Sequence, residues 1–263
     1  FRSFLSGGNL SGEDISMTDA MLLPFESFFK KSLYEDNNNQ DPSDQIDQTF
    51  SFFISTLIPS SKLKLYFELG WDDHRWDIYD FFQHADHSAS KMVGFRKYGL
   101  LDNEKLIFGV EYTDLVTGRF PNRLGSDSDS TPKWYGKNLF DYYLYDGRRF
   151  TAHSGTDSDD LLLYLGYISE NNDLILSFNH ERHGVYESVR LSNQEDVFYV
   201  PEYKIELKLD IRKKFKDYNL YFMYEFEFLD NLGIPIQGIN PRFNLPTRKS
   251  NVFAIGFSKT FKQ

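Results

Sequence analysis

Long stretches of this chain alternate between apolar and polar side chains with a period of two. Residues 203–211 carry Tyr, Ile or Leu at every second position and a charged side chain at each position between. Residues 218–229 and 62–69 repeat the alternation, with aromatic and Leu side chains on one face. Successive side chains of a β-strand point to opposite faces, so this period predicts strands and not helices. The stretches are longer than the usual strand of about five or six residues.

The same criterion finds about eleven strand segments along the chain. They lie at residues 14–23, 26–34, 47–58, 61–70, 91–98, 105–116, 160–168, 172–182, 200–213, 217–229 and 250–261. Residues 76–87 have the composition of a short helix. The sequence therefore predicts an all-β fold.

The connections between these segments alternate between short and long. The short ones lie at residues 24, 59–60, 99–104, 169–171 and 214–216. The long, polar ones lie at residues 35–46, 71–90, 117–159, 183–199 and 230–249. This alternation is typical of a transmembrane antiparallel up-and-down β-barrel, with short periplasmic turns and long extracellular loops. The alternative is a soluble all-β protein with half-buried sheets.

Composition fits the barrel. Aromatic residues make up 17% of the chain, yet its mean hydropathy is −0.50 and 26% of its residues are charged. Strands with one face in lipid and the other in a charged lumen explain both values. No apolar run approaches the ~18–20 residues of a spanning helix. The net charge of −10 argues against nucleic-acid binding, and the absence of Cys excludes disulfides and thiolate metal sites.

The last predicted strand ends in a pattern that resembles the carboxy-terminal signal of bacterial outer-membrane proteins. It places Phe253, Ile255, Phe257 and Phe261 outward, between small inward residues. If this strand descends to the periplasm, an even strand number requires at least one further strand upstream. We therefore expect residues 1–263 to form a single incomplete barrel domain, whose upstream strands and signal peptide are missing.

The inward face of the predicted barrel carries charges of both signs, which indicates a lumen with ion pairs and water. These inward residues are Lys64, Glu68, Glu111, Asn179, Glu181, Lys204, Glu206, Lys208, Asp210, Glu225 and Glu227.

The long connection at residues 117–159 mixes aromatic and charged side chains. They are Trp134, Tyr135, Phe140, Asp141, Tyr142, Tyr143, Tyr145, Asp146, Arg148 and Arg149. Such mixtures recognise carbohydrate, because aromatic faces take sugar C–H surfaces while Arg and carboxylates take hydroxyl groups. The alternative is a loop that packs on itself as a plug or lid.

Motifs for catalysis, metals and cofactors are weak. The pairs His84/His87 and His180/His183 lack the surroundings of a metal site, and the Asp-rich residues 125–130 lack the spacing of a calcium loop. The chain contains no Gly-x-Ser-x-Gly elbow, and pairs such as Glu225/Glu227 arise by default on a charged strand face. We expect no enzymatic activity, no metal and no cofactor.

Several segments in order resemble the capsule assembly Wzi family. They are residues 64–73 (KLYFELGWDD), 98–100 (YGL), 106–114 (LIFGVEYTD) and 145–157 (YDGRRFTAHSGTD), and the resemblance covers roughly residues 15–183. In the last segment Gly147, His153, Gly155 and Asp157 match the family pattern, whereas Ala152 stands where Gly is usual.

This resemblance implies a monomeric outer-membrane barrel of about eighteen strands with a small helical plug, which holds capsular polysaccharide without catalysis. The candidate polysaccharide-binding or loop-shaping residues are the matched positions and their neighbours: Glu111, Tyr145, Asp146, Arg148, Arg149, His153 and Asp157. The predicted partners are capsular polysaccharide or exopolysaccharide and outer-membrane lipid, with the loops facing the cell exterior. The alternative function is a porin-like channel for small polar solutes or oligosaccharides.

Overall fold

The computed structural model describes residues 2–5, 46–72, 89–116, 144–145, 148–149, 154–155, 157–185, 200–232 and 246–259. The strands predicted at 14–23 and 26–34 and the helix predicted at 76–87 lie outside the described residues. In the part of the chain that is described, no helix is long and apolar enough to cross a membrane.

The described residues form twelve strands. In chain order they are β1 (Arg2–Leu5), β2 (Ile46–Ile58), β3 (Leu63–Asp72), β4 (Ala89–Leu100), β5 (Asn103–Asp114), β6 (Leu144–Tyr145), β7 (Arg148–Arg149), β8 (Ser158–Ile168), β9 (Asn172–His183), β10 (Glu202–Phe215), β11 (Tyr218–Asp230) and β12 (Thr247–Lys259). Nine long strands coincide with the last nine predicted segments to within three residues at each end. The short strands β1, β6 and β7 were not predicted.

The long strands form one antiparallel sheet in which neighbours in the chain are neighbours in space. The order is β1-β2-β3-β4-β5-β8-β9-β10-β11-β12, and β6 and β7 form a separate ribbon. The prediction of an all-β, antiparallel, up-and-down arrangement is therefore confirmed. Within the described residues the sheet is open, because β12 does not pair with the strand at the other end.

Contacts divide the chain into two compact units. The first comprises residues 1–52, 68–91 and 117–151, and in it β1 pairs with the start of β2. The second comprises residues 53–67, 92–116 and 152–263, and it contains most of the sheet. All side-chain contacts described below lie within the second unit.

The predicted alternation of connection lengths is confirmed for every connection from β2 to β12. The tight turns are residues 59–62, 101–102, 169–171 and 216–217, and they lie at one edge of the sheet, called here the tight-turn edge. The strand ends that the long connections join lie at the opposite edge, called here the long-connection edge. Leu101 and Asp102 both have positive φ, 52° and 61°, as a two-residue turn of type I′ requires. Such a turn matches the right-handed twist of the two strands that it joins.

One face of the sheet, called the apolar face, exposes large hydrophobic side chains. On β12 the exposed fractions are 67% for Phe253, 84% for Ile255 and 65% for Phe257. Rings contact one another across strands, with centroids 4.8 Å apart for Tyr224 and Phe253 and 5.4 Å for Tyr218 and Phe257. Phe253, Ile255 and Phe257 share one exposed face, as the alternation predicts, and Phe261 lies outside the described residues.

Few apolar side chains are buried in the part of the chain that is described: Trp71, Ile107, Leu115, Val116 and Leu229. Soluble sheets bury such a face in a core. Large contiguous apolar patches on a protein surface mark protein–protein contacts, membrane contacts or ligand-binding grooves.

Candidate functional site

The opposite, polar face carries a network of charged side chains near the long-connection edge. Its centre is Glu181 on β9, whose exposed fraction is only 1%. Its Oε1 accepts hydrogen bonds from Asn179 Nδ2 at 2.7 Å and from Lys204 Nζ at 3.2 Å, while Oε2 lies 3.0 Å from His183 Nε2. Asn179 is itself buried, and within the described residues its Oδ1 has no hydrogen-bond partner.

Lys204 on β10 connects three carboxylates of this network. Its Nζ lies 2.5 Å from Glu206 Oε2, 3.2 Å from Glu181 Oε1 and 3.8 Å from Glu227 Oε2. Glu206 and Glu227 are directly opposite each other in the pairing of β10 with β11. Like charges at directly opposite positions destabilise a sheet. The ammonium group of Lys204 offsets this repulsion.

Glu227 extends the network to β12. Its Oε1 accepts hydrogen bonds from Ser250 Oγ at 2.8 Å and from Arg248 at 3.0 Å. Ser250 is the register partner of Glu227, so the strand pairing itself brings the two groups together.

A second, looser set of charges lies closer to the tight-turn edge. Lys208 Nζ is 3.7 Å from Asp210 Oδ2 and 4.0 Å from Glu225 Oε2. The predicted mixture of ion pairs on this face is therefore confirmed for β9 to β12. Because every one of these carboxylates faces a cation, the network can stabilise the sheet and present polar groups to a ligand.

A second cluster on the polar face contains the candidate residue Glu111. Tyr66 on β3 extends across β4 and donates a hydrogen bond from its hydroxyl to Glu111 Oε2 on β5, at 2.8 Å. This path crosses Gly94 on β4, where a Cβ atom would overlap the Tyr66 ring. The glycine therefore makes room for the ring, and Glu111 is held in a fixed position.

Tyr164 on β8 makes the matching contact from the other side. Its ring covers Gly109 on β5, at a place where a Cβ atom would overlap it. Its hydroxyl accepts a hydrogen bond from Arg96 on β4, whose guanidinium also lies 5.5 Å from the ring centroid. The two tyrosines thus reach across β4 and β5, and the ring of each lies over a glycine in the middle of a strand.

The long connection at residues 117–159 ends at the start of β8, where Ser154, Gly155 and residues 157–159 are buried. Asp157 is 5% exposed, and its carbonyl oxygen accepts hydrogen bonds from the N–H groups of Gly184 at 2.8 Å and Val185 at 3.2 Å. Leu115 N–H donates to Ser158 O at 2.8 Å. These bonds attach the segment to the ends of β5 and β9. These bonds fix the backbone at Asp157, whereas its predicted role in polysaccharide binding or in loop shaping stays a prediction.

The backbone of Asp157 lies in the left-handed region, with φ at 49°. Asn tolerates this region, whereas β-branched residues do not. We expect the Asp157→Val variant to lose about 1–2 kcal/mol more unfolding free energy than the Asp157→Asn variant. Guanidinium unfolding of the full-length protein in detergent measures this difference. Equal losses for the two variants would mean that side-chain contacts, and not the backbone conformation, set the stability contribution of Asp157.

An ion pair lies beside this segment, on the apolar face. Arg182 Nε donates to Asp159 Oδ1 at 2.7 Å, and its terminal nitrogen contacts Oδ2, so the pair is bidentate. Asp159 and Arg182 are register partners in the pairing of β8 with β9. A bidentate pair of this kind holds the ends of both strands in place.

The other candidate residues have only partly described positions. Tyr145 is paired with Arg148 and Leu144 with Arg149 in the ribbon of β6 and β7, so the structure places three of the candidates in one short hairpin. Asp146 and His153 lie outside the described residues.

The histidines of the 180–183 stretch do not converge. His180 lies on the apolar face with its ring centroid 6.2 Å from that of Tyr203, whereas His183 contacts Glu181 on the polar face. An odd spacing in a strand directs the two side chains to opposite faces. The structure, as far as it is described, contains no group of three His, Cys, Asp or Glu residues that could hold a metal ion.

Comparison with known proteins gives no match. No family model matches the chain, and neither a curated protein nor a solved structure is significantly similar to it. The resemblance of its motifs to the capsule assembly Wzi family therefore stays a prediction.

The inward charges, among them Glu111, were predicted from the sequence, whereas the contacts of Tyr66, Arg96 and Tyr164 were not. A signal for the two tyrosines was present, because Gly94 and Gly109 each interrupt the middle of a strand pattern. Glycine in the middle of a strand indicates the close approach of another group.

Proposed function

We propose that this chain is part of a closed transmembrane β-barrel of the bacterial outer membrane, with the apolar face in lipid and the polar face in the lumen. The observation that carries the proposal is the apolar face itself. On β11 it extends without a charged residue from Tyr218 to Phe228. Ten steps of about 3.4 Å, at the ~40° tilt of barrel strands, give about 26 Å. Outer-membrane barrels have an apolar band about 25 Å tall.

At each end of this face a lysine lies over an aromatic ring. Lys259 Nζ lies 5.4 Å from the ring centroid of Tyr218, and Lys249 Nζ lies 5.8 Å from that of Phe228. Aromatic rings and snorkelling lysines at two levels are typical of the two interfaces of a membrane.

The function that this architecture supports best is the attachment of capsular polysaccharide or exopolysaccharide at the cell surface, without catalysis. On this proposal the barrel has about eighteen strands and acts as a monomer, and residues 117–159 form an extracellular or lumen-plugging loop. The motif resemblance and the aromatic and charged composition of that loop support the assignment. The buried segment at Asp157 and the clusters of Glu111 and Glu181 give the base of the loop a rigid polar support.

Deletion of the gene tests the polysaccharide proposal. We expect the polysaccharide to move from the cell-bound fraction to the medium while total synthesis stays constant, because only attachment is lost. Complementation with the intact gene is the control. An unchanged cell-bound fraction would contradict the proposal.

A second candidate function is a porin-like channel. The observation that favours it is the polar face of β9–β12, whose charges of both signs suit a water-filled lumen. Planar-bilayer recording of the full-length protein distinguishes the two functions. A large and steady conductance supports the channel. A bilayer that shows no added conductance after the protein is inserted supports attachment alone.

A further inference from the structure

An apolar groove lies on the apolar face where β10, β11 and β12 reach the tight-turn edge. It is lined by Lys213, Phe215, Tyr218, Leu220 and Phe257. Phe215 is 60% exposed, and the rings of Tyr218 and Phe257 are stacked. The groove is continuous with the apolar face above it, so a hydrocarbon chain that lies along the strands can enter it.

Three lysines surround this groove. Lys213 lines it, Lys216 Nζ lies 5.8 Å from the Phe215 ring centroid, and Lys259 Nζ lies 5.4 Å from that of Tyr218. Within the described residues neither Lys213 nor Lys216 forms an ion pair with a carboxylate. Asp217 is the acidic residue of the turn between β10 and β11. Among the described residues of this rim, Lys213 and Lys216 therefore exceed the single acidic residue Asp217 in charge, on a chain whose net charge is −10.

The long-connection edge differs in this respect. Among the arginines described there, Arg248 pairs with Glu227 and Arg182 pairs with Asp159. On its apolar face Lys249 lies over the ring of Phe228, as Lys259 does over Tyr218. The same kind of aromatic and lysine pair thus occurs at both edges, but the cluster of three lysines around a groove occurs at the tight-turn edge.

We propose that this groove binds one anionic glycerophospholipid from the membrane leaflet at the tight-turn edge. The phosphate contacts the ammonium groups of Lys213, Lys216 and Lys259, and an acyl chain lies over Tyr218, Leu220 and Phe257. This inference rests on the proposed membrane insertion. Cations at one end of an apolar groove fit an amphiphile with an anionic head, because both parts of the ligand find a complementary surface.

Lipid retention by the full-length protein tests this site. The protein is folded into phosphatidylcholine vesicles with or without phosphatidylglycerol as a minor component, and co-purified lipid is measured by native mass spectrometry. We expect phosphatidylglycerol to be retained over phosphatidylcholine by about tenfold. The triple variant Lys213→Gln, Lys216→Gln, Lys259→Gln should lose this preference. The matched control Lys249→Gln should keep it.

Each other outcome overturns the lipid site. If the wild type and the triple variant enrich phosphatidylglycerol equally, the three lysines have no role in binding it. If Lys249→Gln loses the preference as completely as the triple variant does, the preference depends on general surface charge and not on this groove. A lipid-free dimer would show that a second copy of the chain covers the groove. Heat-modifiable gel mobility, a mark of a folded barrel, separates the two proposals. Inserted protein without lipid preference contradicts only the lipid site, whereas protein that never inserts contradicts the membrane proposal as well.

Discussion

Replacement of Lys204 with methionine is expected to lower the free energy of unfolding by about 3 kcal/mol. The substitution keeps most of the side-chain volume and removes the ammonium group. Glu181, which is almost fully buried, then loses one of its hydrogen bonds, and Glu206 faces Glu227 without a cation between them. Guanidinium unfolding of the full-length protein in detergent, followed by Trp fluorescence, measures the loss.

Lys208→Met is the matched control for this prediction. Lys208 lies four residues after Lys204 on the same face of β10. Its Nζ is 3.7 Å and 4.0 Å from its carboxylate partners, and its side chain is more exposed than that of Lys204. We expect this variant to lose less than about 1 kcal/mol. Equal losses for the two variants would show that any cation on this face is equivalent and that the network around Glu181 has no special role.

The Gly109→Ala substitution is expected to lower the free energy of unfolding by about 2 kcal/mol. The new methyl group would occupy the position of the Tyr164 ring, so the ring must move. Moving it breaks the hydrogen bond that Arg96 donates to the tyrosine hydroxyl. The same unfolding measurement applies.

Two variants isolate the cause of this loss. In Gly256→Ala the added Cβ atom lies 3.4 Å from Tyr221 Cβ, which is a tolerable contact, so this glycine in a strand should accept alanine with little change. In a Tyr164→Ala background, Gly109→Ala should also cost little, because the ring is absent. A full cost in that background would contradict the ring contact as the cause and point to backbone strain.

The strands and their faces were predictable because both depend on local sequence. From Tyr203 to Ile211 in β10 and from Tyr218 to Phe228 in β11 every second side chain is apolar, and a period of two indicates the extended backbone of a strand. The tight turns were predictable for the same reason, since they interrupt the period. Strands β1, β6 and β7 were missed because two to four residues are too few to show a period.

The side-chain clusters were not predictable, because they depend on register. A shift of one residue in the pairing of β9 with β10 would turn Lys204 away from Glu181. The contact between Tyr66 and Glu111 reaches across an entire strand and requires Gly94 at the crossing point. The candidate Asp157 was found from a motif, but its carbonyl bonds to residues 184–185 depend on the end of a different strand.

Spin labels on β12 test the central claim, that the apolar face contacts lipid, most directly. The chain has no Cys, so single cysteines can be introduced at Phe253, Ala254 and Ile255 of the full-length protein in vesicles. We predict that labels at 253 and 255 are accessible to oxygen, which partitions into hydrocarbon, and inaccessible to a polar nickel chelate. The label at 254 should show less contact with oxygen and more with the chelate. Labels at 253 and 255 that the chelate reaches as easily as it reaches 254 would contradict the membrane assignment.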